Sequence, residues 1–451
     1  MIKAQITKFL QKFNPIQVLV IGYFIVTLTF ALLLMLPISS VSHKSQPFID
    51  AMFVAASGIS TTGLTTVDIG SFYSLFGQIV LMLDFQIGGI GYMAFIVFIA
   101  HLLNIKLSMK NQTVATESVS GAYPGHTFNF FKKVIVFTFV FELIGCAILF
   151  FYWLPGRSFL YALYLGMFHS ISAFCTAGFC LFPTSLMAYK NSIVVNLVID
   201  VISLAGGIGF YVLNEIYMVS KKVVKHQRCE NISTHAKLAV IITIIVILIG
   251  TTVIFISEKW TPQSNLNERL MASSFQAISA STTDGFNSLD IGTMSATSLF
   301  IIILLMFIGA SPGSTGGGIK TTTAGVILLS IWSTIKGEKD TNLFARRLST
   351  DVIRKSFAIF GLFIMVAVID LLILTITENA GFLKILFEII SALGNTGLST
   401  GITANLSSIA KILLSVTMFI GRVGPLAIGV ALVRRLHPID FKYPEADIFV
   451  G

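Results

Sequence analysis

The chain alternates long apolar runs with polar connections. Runs near residues 16–37, 75–100, 134–154, 191–213, 238–257, 296–335, 356–376 and 406–433 can each cross a bilayer as a helix, which takes about 20 residues. The pattern predicts eight transmembrane helices. The first run lies too far from Met1, and lacks a small-residue cleavage site after LLLMLP, to read as a signal peptide. The sixth run is broken, because ATSLFIIILL leads into FIGASPGSTGGGIKTTT. A helix over 296–308 rises about 20 Å, roughly two thirds of the hydrocarbon core. Pro312 with Gly309, Gly313, Gly316, Gly317 and Gly318 opposes continuous helix by about 8 kcal/mol, so the break is expected to be a loop inside the membrane.

The connections after runs one, three, five and seven are too short and apolar to be solvated linkers or spans. They read AMFVAASGISTTGLTTVDIG, LGMFHSISAFCTAGFCLFP, MASSFQAISASTTDGFNSLDIG and FEIISALGNTGLSTGI. Each ends in small polar residues around one glycine, Gly63, Gly178, Gly285 or Gly397, spaced 107 to 115 residues apart. Asp68 and Gly70 in the first copy match Asp290 and Gly292 in the third. A second glycine motif follows each turn: GGIGY at Gly88, GGIGF at Gly206, GASPG at Gly309 and GRVGP at Gly421. Unrelated packing glycines would not keep matched offsets. The expected fold is an all-α integral membrane protein of four helix, pore-helix, helix repeats, over 1–105, 106–225, 226–340 and 341–451. Irregular backbone at membrane depth must be buried in protein or line a water-filled path, so four re-entrant turns imply one central pore.

Such turns can aim carbonyl oxygens at a common axis and replace an ion's hydration shell. The candidate filter residues are Thr61, Thr62, Gly63 and Leu64; Thr176, Ala177, Gly178 and Phe179; Thr283, Asp284, Gly285 and Phe286; and Asn395, Thr396, Gly397 and Leu398. They are poor in charge, which suits coordination of a cation by dipoles. Asp284 is the exception: its carboxylate either adds to the field at the filter or, as the favoured reading, turns away to bond backbone behind it. Asp68 and Asp290 either focus cations at the outer mouth or are solvated loop acids.

Composition agrees with a membrane protein: 55% of 451 residues are hydrophobic and 11% charged, against about 25% charged in soluble domains. Charge placement orients the chain. With the amino terminus and alternate loops on one side, that side holds 21 of the 30 basic residues, including Lys3, Lys106, Lys221, Arg346 and Arg434, so both termini are expected to be cytoplasmic. The net charge of +9 thus needs a membrane rather than nucleic acid as partner. Cys146, Cys175, Cys180 and Cys229 have no metal-type spacing, and no constellation suggests a bound metal cofactor, an enzyme active site or a covalent cofactor. His169, on the second pore helix, reads as packed or capping.

The four-unit plan, one glycine per turn and the glycine-rich break resemble the Trk/Ktr/HKT potassium transporter superfamily, over essentially the whole chain. The start of helix one near Pro15, with no extra helix pair before it, resembles the Ktr-type membrane subunit. All four filter glycines are present, which in that family goes with potassium preference. The resemblance implies potassium in the filter, with sodium as a coupled ion left open, a homodimer with one pore per subunit, and a cytoplasmic ring of nucleotide-binding regulatory subunits. The basic segments KKVVKHQR and KGEKDTNLFARRLSTDVIRK are surfaces available to such a partner, although membrane lipid also explains them.

Lys320 and Arg422 fall inside spans, where charges must face protein or water. The expected gate comprises Gly309, Pro312, Gly313, Gly316, Gly317, Gly318, Lys320 and Arg422: the loop blocks the path below the filter, and Arg422 holds it or raises a barrier to cations. Asp84, Glu142, Asp200 and Asp370 are candidate acidic partners. GSTGGGIKT lacks the spacing and the preceding strand of a phosphate-binding loop. The alternative function is a sodium-coupled secondary carrier with alternating access and its substrate site at the broken helix.

Overall fold

A computed structural model describes residues 15–91, 127–225, 232–261 and 264–424. The chain is mostly helical. Grouped by the sequence units, it comprises α1 (Pro15–Leu34), α2 (Phe48–Ile59) and α3 (Leu75–Ile90); α4 (Thr127–Trp153), α5 (Phe159–Phe174), α6 (Ile193–Gly207) and α7 (Phe210–Val224); α8 (Thr234–Ser257), α9 (Leu266–Thr282), α10 (Ala296–Ile308) and α11 (Thr321–Ile335); and α12 (Thr350–Thr377), α13 (Phe382–Leu393) and α14 (Ser408–Val423). A two-residue hairpin, Asn342–Leu343 against Arg346–Arg347, supplies the strands among the described residues.

Within α4, α8 and α12 lie stretches long and apolar enough to cross a bilayer. They expose Leu143, Phe151, Leu248, Leu372 and Ile376, as lipid-facing surfaces do. The helix after each turn starts at a serine: Ser74, Ser192, Ser295 and Ser407 accept from the amides of Gly77, Val195, Ser298 and Ala410. Each cap satisfies an amide that the first turn would otherwise leave unpaired.

The short helices α2, α5, α9 and α13 form the centre. Each packs on the long helix preceding it, and each also receives the closing helix of another unit: α3 on α5, α6 on α9, α10 on α13 and α14 on α2. These contacts run in a closed cycle. Phe53, Phe168, Phe275 and Phe387, each ten residues before a turn glycine, are completely buried there. The matched serines Ser57, Ser172, Ser279 and Ser391 follow four residues on, an F-x-x-x-S repeat that the glycine alignment overlooked.

Several expected spans are corrected. The run 191–213 is two helices, α6 and α7, bent by 103°. Gly209 makes the bend with φ of 96°, a conformation open to a residue without a β-carbon. In the runs 75–100 and 406–433 the helices end at Ile90 and Val423, each followed by a glycine of positive φ, and 92–100 and 425–433 lie outside the described residues. Cys146, Cys175 and Cys180 are free thiols; Cys229 and residues 92–126 lie outside the described residues.

Candidate functional site

The four turns have one local design. The short helix ends, the chain enters left-handed geometry at Thr61, Thr176, Thr283 or Asn395 (φ between 50° and 59°), and two residues later the glycine again has positive φ. Left-handed threonine is costly, by roughly 1–2 kcal/mol each, and the surrounding bonds offset it. The amides of Thr62, Ala177, Asp284 and Thr396 donate back to the carbonyls of Ser57, Ser172, Ser279 and Ser391 at 2.8 to 2.9 Å. Leu64, Phe179, Phe286 and Leu398, next after each glycine, turn their side chains into the core. What each turn leaves at the centre is backbone.

The structure brings the turns together. A β-carbon on Gly63 would collide with the Ala177 carbonyl, on Gly178 with that of Asp284, on Gly285 with that of Thr396, and on Gly397 with that of Thr62. Each glycine therefore abuts the carbonyl preceding the next one, and the series closes on itself. Asp284 faces away, as favoured, but its partner is a side chain: the Ser203 hydroxyl on α6 donates to Oδ2 at 2.7 Å. The Asp284 amide is already committed to Ser279, and α6 packs on α9, which brings Ser203 to the back of this turn.

The loop after α10 is pinched at its base. The Lys320 amide donates to the Ile308 carbonyl at 2.9 Å, and Gly309 and Gly318 meet so closely that neither has room for a β-carbon. Between these ends the chain reaches toward all four turns. Thr61 Oγ1 donates to the Thr315 carbonyl at 3.1 Å, Thr176 Oγ1 bonds Thr315 Oγ1 at 3.1 Å, and the Gly317 amide donates to Thr283 Oγ1 at 3.0 Å. Gly317 also packs on Asn395. On its other side the loop seals the α6–α7 bend: the amides of Ser311 and Thr315 donate to the Gly207 and Gly206 carbonyls, and Gly313 accepts from Phe210. Pro312 abuts Gly209 through its carbonyl.

Arg422 and Lys320 both bind this loop. The guanidinium donates to the carbonyls of Thr315 and of Gly88, on α3. Lys320 Nζ donates to the carbonyls of Gly316 at 2.7 Å and Gly317 at 3.2 Å. The acidic partners considered from sequence are engaged elsewhere or unpaired with these cations. Glu142 accepts from Gln86, Asp370 accepts from Thr417, Asp84 packs against Gly58, and no ion pair joins Asp84, Asp200 or any other acid to either cation among the described residues. Carbonyl oxygens replaced carboxylates because the loop, rich in glycine, offers backbone where side chains cannot fit.

Thr315 is the residue sequence reasoning missed. It touches two turns and Arg422, yet it stood between two glycines that drew the attention. The second glycine motif is also re-registered. Gly91 and Gly424 follow the ends of α3 and α14 with φ of 86° and 87°, Gly209 precedes α7 with φ of 96°, and the matching residue in the third unit is Lys320, which precedes α11 with φ 91°. GGIK, not GASPG, closes that motif, and Gly309 marks where the loop leaves it.

Just past their turns, Asp68 accepts from Ser71, and Asp290 accepts from the Gly292 amide at 3.0 Å. The Asp290 carboxylate caps the short helical turn that follows it, whereas Asp68 bonds a serine side chain within its own turn. Gly70 and Gly292 lie against the carbonyls of Leu181 and Thr400, just past the second and fourth turns. His169 is buried, with Nδ1 2.8 Å from the Leu165 carbonyl.

Comparison with known proteins finds relatives over nearly the whole chain. Residues 8–442 match the model of the TrkH family, described as a cation transport protein. The Ktr system potassium uptake protein B of Bacillus subtilis is 38% identical over 98% of this chain and 97% of its own length. The potassium/sodium uptake protein NtpJ of Enterococcus hirae is 30% identical over 98% of each chain. The crystal structure of the potassium transporter TrkH from Vibrio parahaemolyticus superposes with a TM-score of 0.70 at 19% identity, over 91% of this chain and 84% of that one. With the family model and full-length relatives in agreement, this chain belongs to the TrkH family of cation transport proteins.

Proposed function

We propose that the chain takes up potassium across the cell membrane through a single pore at the centre of four helix, pore-helix, helix repeats. The four turns around Gly63, Gly178, Gly285 and Gly397 are its selectivity filter. The observation that carries this reading is the closed series in which each glycine abuts the next turn's carbonyl. It leaves backbone oxygens, with no side chain in the way, to replace water around a cation. The relatives named for potassium uptake support the ion, and NtpJ, named for potassium and sodium, supports sodium as a second ion.

The 309–320 loop is the gate in this reading. Its bonds to Thr61, Thr176 and Thr283 set it against the filter turns, where an extended loop obstructs whatever leaves them. A single neutral hydrogen bond contributes about 1 kcal/mol and one to a charged group about 1.5–3 kcal/mol, so the bonds from Arg422 and Lys320 hold the loop more strongly than those from the threonines. Arg422 is unpaired with any carboxylate among the described residues, and its charge also opposes cations. Both termini are cytoplasmic by the distribution of basic residues, eight helices cross the bilayer, and the subunit acts as a homodimer with a cytoplasmic regulatory ring; the Ktr system name of two relatives supports a separate regulatory subunit. No residue is assigned a catalytic role. The closed series favours one axis over the alternating-access carrier, whose site lies between inverted halves.

Growth and uptake of cells lacking their own potassium transport, supplied with this chain and its regulatory subunit, test the reading. The wild type restores growth at low potassium, and Gly63→Ser lowers the preference for potassium over sodium. Failure of rescue overturns potassium uptake, and an unchanged preference removes the turn from the filter.

A further inference from the structure

The residue nine positions before each turn glycine is Val54, His169, Gln276 or Glu388, each buried on a short helix. In the second and fourth units this side chain reaches the strand of chain leaving the turn. Glu388 Oε1 accepts from Ser399 Oγ at 2.6 Å, the Thr400 amide at 3.0 Å and Thr400 Oγ1 at 3.4 Å, and Oε2 accepts from Thr403 Oγ1 at 2.9 Å. His169 Nε2 accepts the equivalent amide, that of Leu181, at 3.4 Å. These held segments are the ones whose carbonyls lie against Gly292 and Gly70 of the neighbouring units. Val54 has no polar atom to offer, and Gln276 has neither amide atom hydrogen-bonded among the described residues.

Glu388 differs from His169 in charge. Its partners are three hydroxyls and an amide, and all four can donate to a carboxylate. No basic side chain forms an ion pair with it among the described residues, and a buried charge without a counter-charge is strongly unfavourable. With the turns read as a filter, the counter-charge that the site calls for is a cation bound there.

We propose that Glu388 is a positioning residue that sets cation affinity and selectivity: its ionised carboxylate fixes the 399–403 segment behind the fourth turn and is balanced by the bound cation. The inference rests on reading the turns as the filter.

The test compares potassium uptake, with and without competing sodium, for the wild type, Glu388→Gln, Glu388→Asp, Thr403→Val and Gly397→Ser, each with the regulatory subunit and at matched membrane amounts. Glu388→Gln is expected to raise the half-saturating potassium concentration about tenfold, the order expected for losing one partly screened charge near the ion, with a smaller change in maximal rate. Glu388→Asp keeps the charge and should stay within about threefold of the wild type, and Thr403→Val should shift half-saturation about twofold to threefold, as for one charged hydrogen bond partly replaced. If Glu388→Gln does not accumulate, Thr403→Val carries the test alone. Equal effects of Gln and Asp overturn the charge, and unchanged half-saturation in Glu388→Gln, or in Thr403→Val when it stands alone, overturns the role. An unchanged selectivity in Gly397→Ser instead overturns the filter reading beneath it.

Discussion

Lys320 occupies a backbone position, φ 91° and ψ 135°, where the other three units place glycine. A side chain there costs about 1–3 kcal/mol, so something must hold it. The two bonds from Nζ to the Gly316 and Gly317 carbonyls do so, strapping the loop onto its own base. The two effects separate by substitution. Lys320→Gly removes strain and strap together, whereas Lys320→Ala keeps the strain and loses the strap. Thermal unfolding in detergent should place Lys320→Ala below Lys320→Gly, by about 1 kcal/mol for the strain alone. The reverse order would mean that the backbone at 320 is not strained. In the proposed gate both variants also raise potassium flux.

At the scale of elements, the α6–α7 bend and the loop depend on each other. The α6 carbonyls of Gly206 and Gly207 and the Phe210 amide would be left unpaired at a helix end without Ser311, Gly313 and Thr315. Removing residues 311–316 should therefore increase flux and also loosen the bend, seen as faster amide exchange around Ser203 to Leu213 than in the wild type. Unchanged exchange there would show that the bend stands on Gly209 alone. This coupling was illegible in the sequence. GGIGF continues an apolar run, and hydropathy carries no information on the sign of φ at Gly209. The turns were legible because each needs glycine at one offset and an apolar residue right after it. The loop was legible from Pro312 and its glycines, but Thr315 was not, since a threonine between glycines has no pattern until the fold sets Thr61 and Thr176 beside it. Asp284 was read correctly in direction and not in partner, because Ser203 comes from another unit.

For the whole molecule, the cycle of helix contacts must close between its two most distant elements, α14 and α2. Sequence offsets predicted four units but not what joins the fourth to the first. The structure places one ion pair at this seam: Lys411 Nζ lies 2.8 Å from Asp50 Oδ1, with side chains 14% and 21% exposed. Its position matters more than its strength. Lys411 stands in the first turn of α14 and Asp50 in the first turn of α2, so the pair fixes how α14 lies along α2. Asn395 continues the seam, donating to Thr62 Oγ1 at 3.0 Å and to the Met418 carbonyl at 2.8 Å. A half-buried pair of this kind should show a coupling of about 1 kcal/mol in a double-mutant cycle of Asp50→Asn and Lys411→Met. Since Gly397 abuts the Thr62 carbonyl at the same seam, either single substitution should also lower potassium over sodium preference, and the exchanged pair Asp50→Lys with Lys411→Asp should restore part of it. Additive losses in stability, with selectivity untouched, would show that the ring closes through apolar packing and the turn contacts alone.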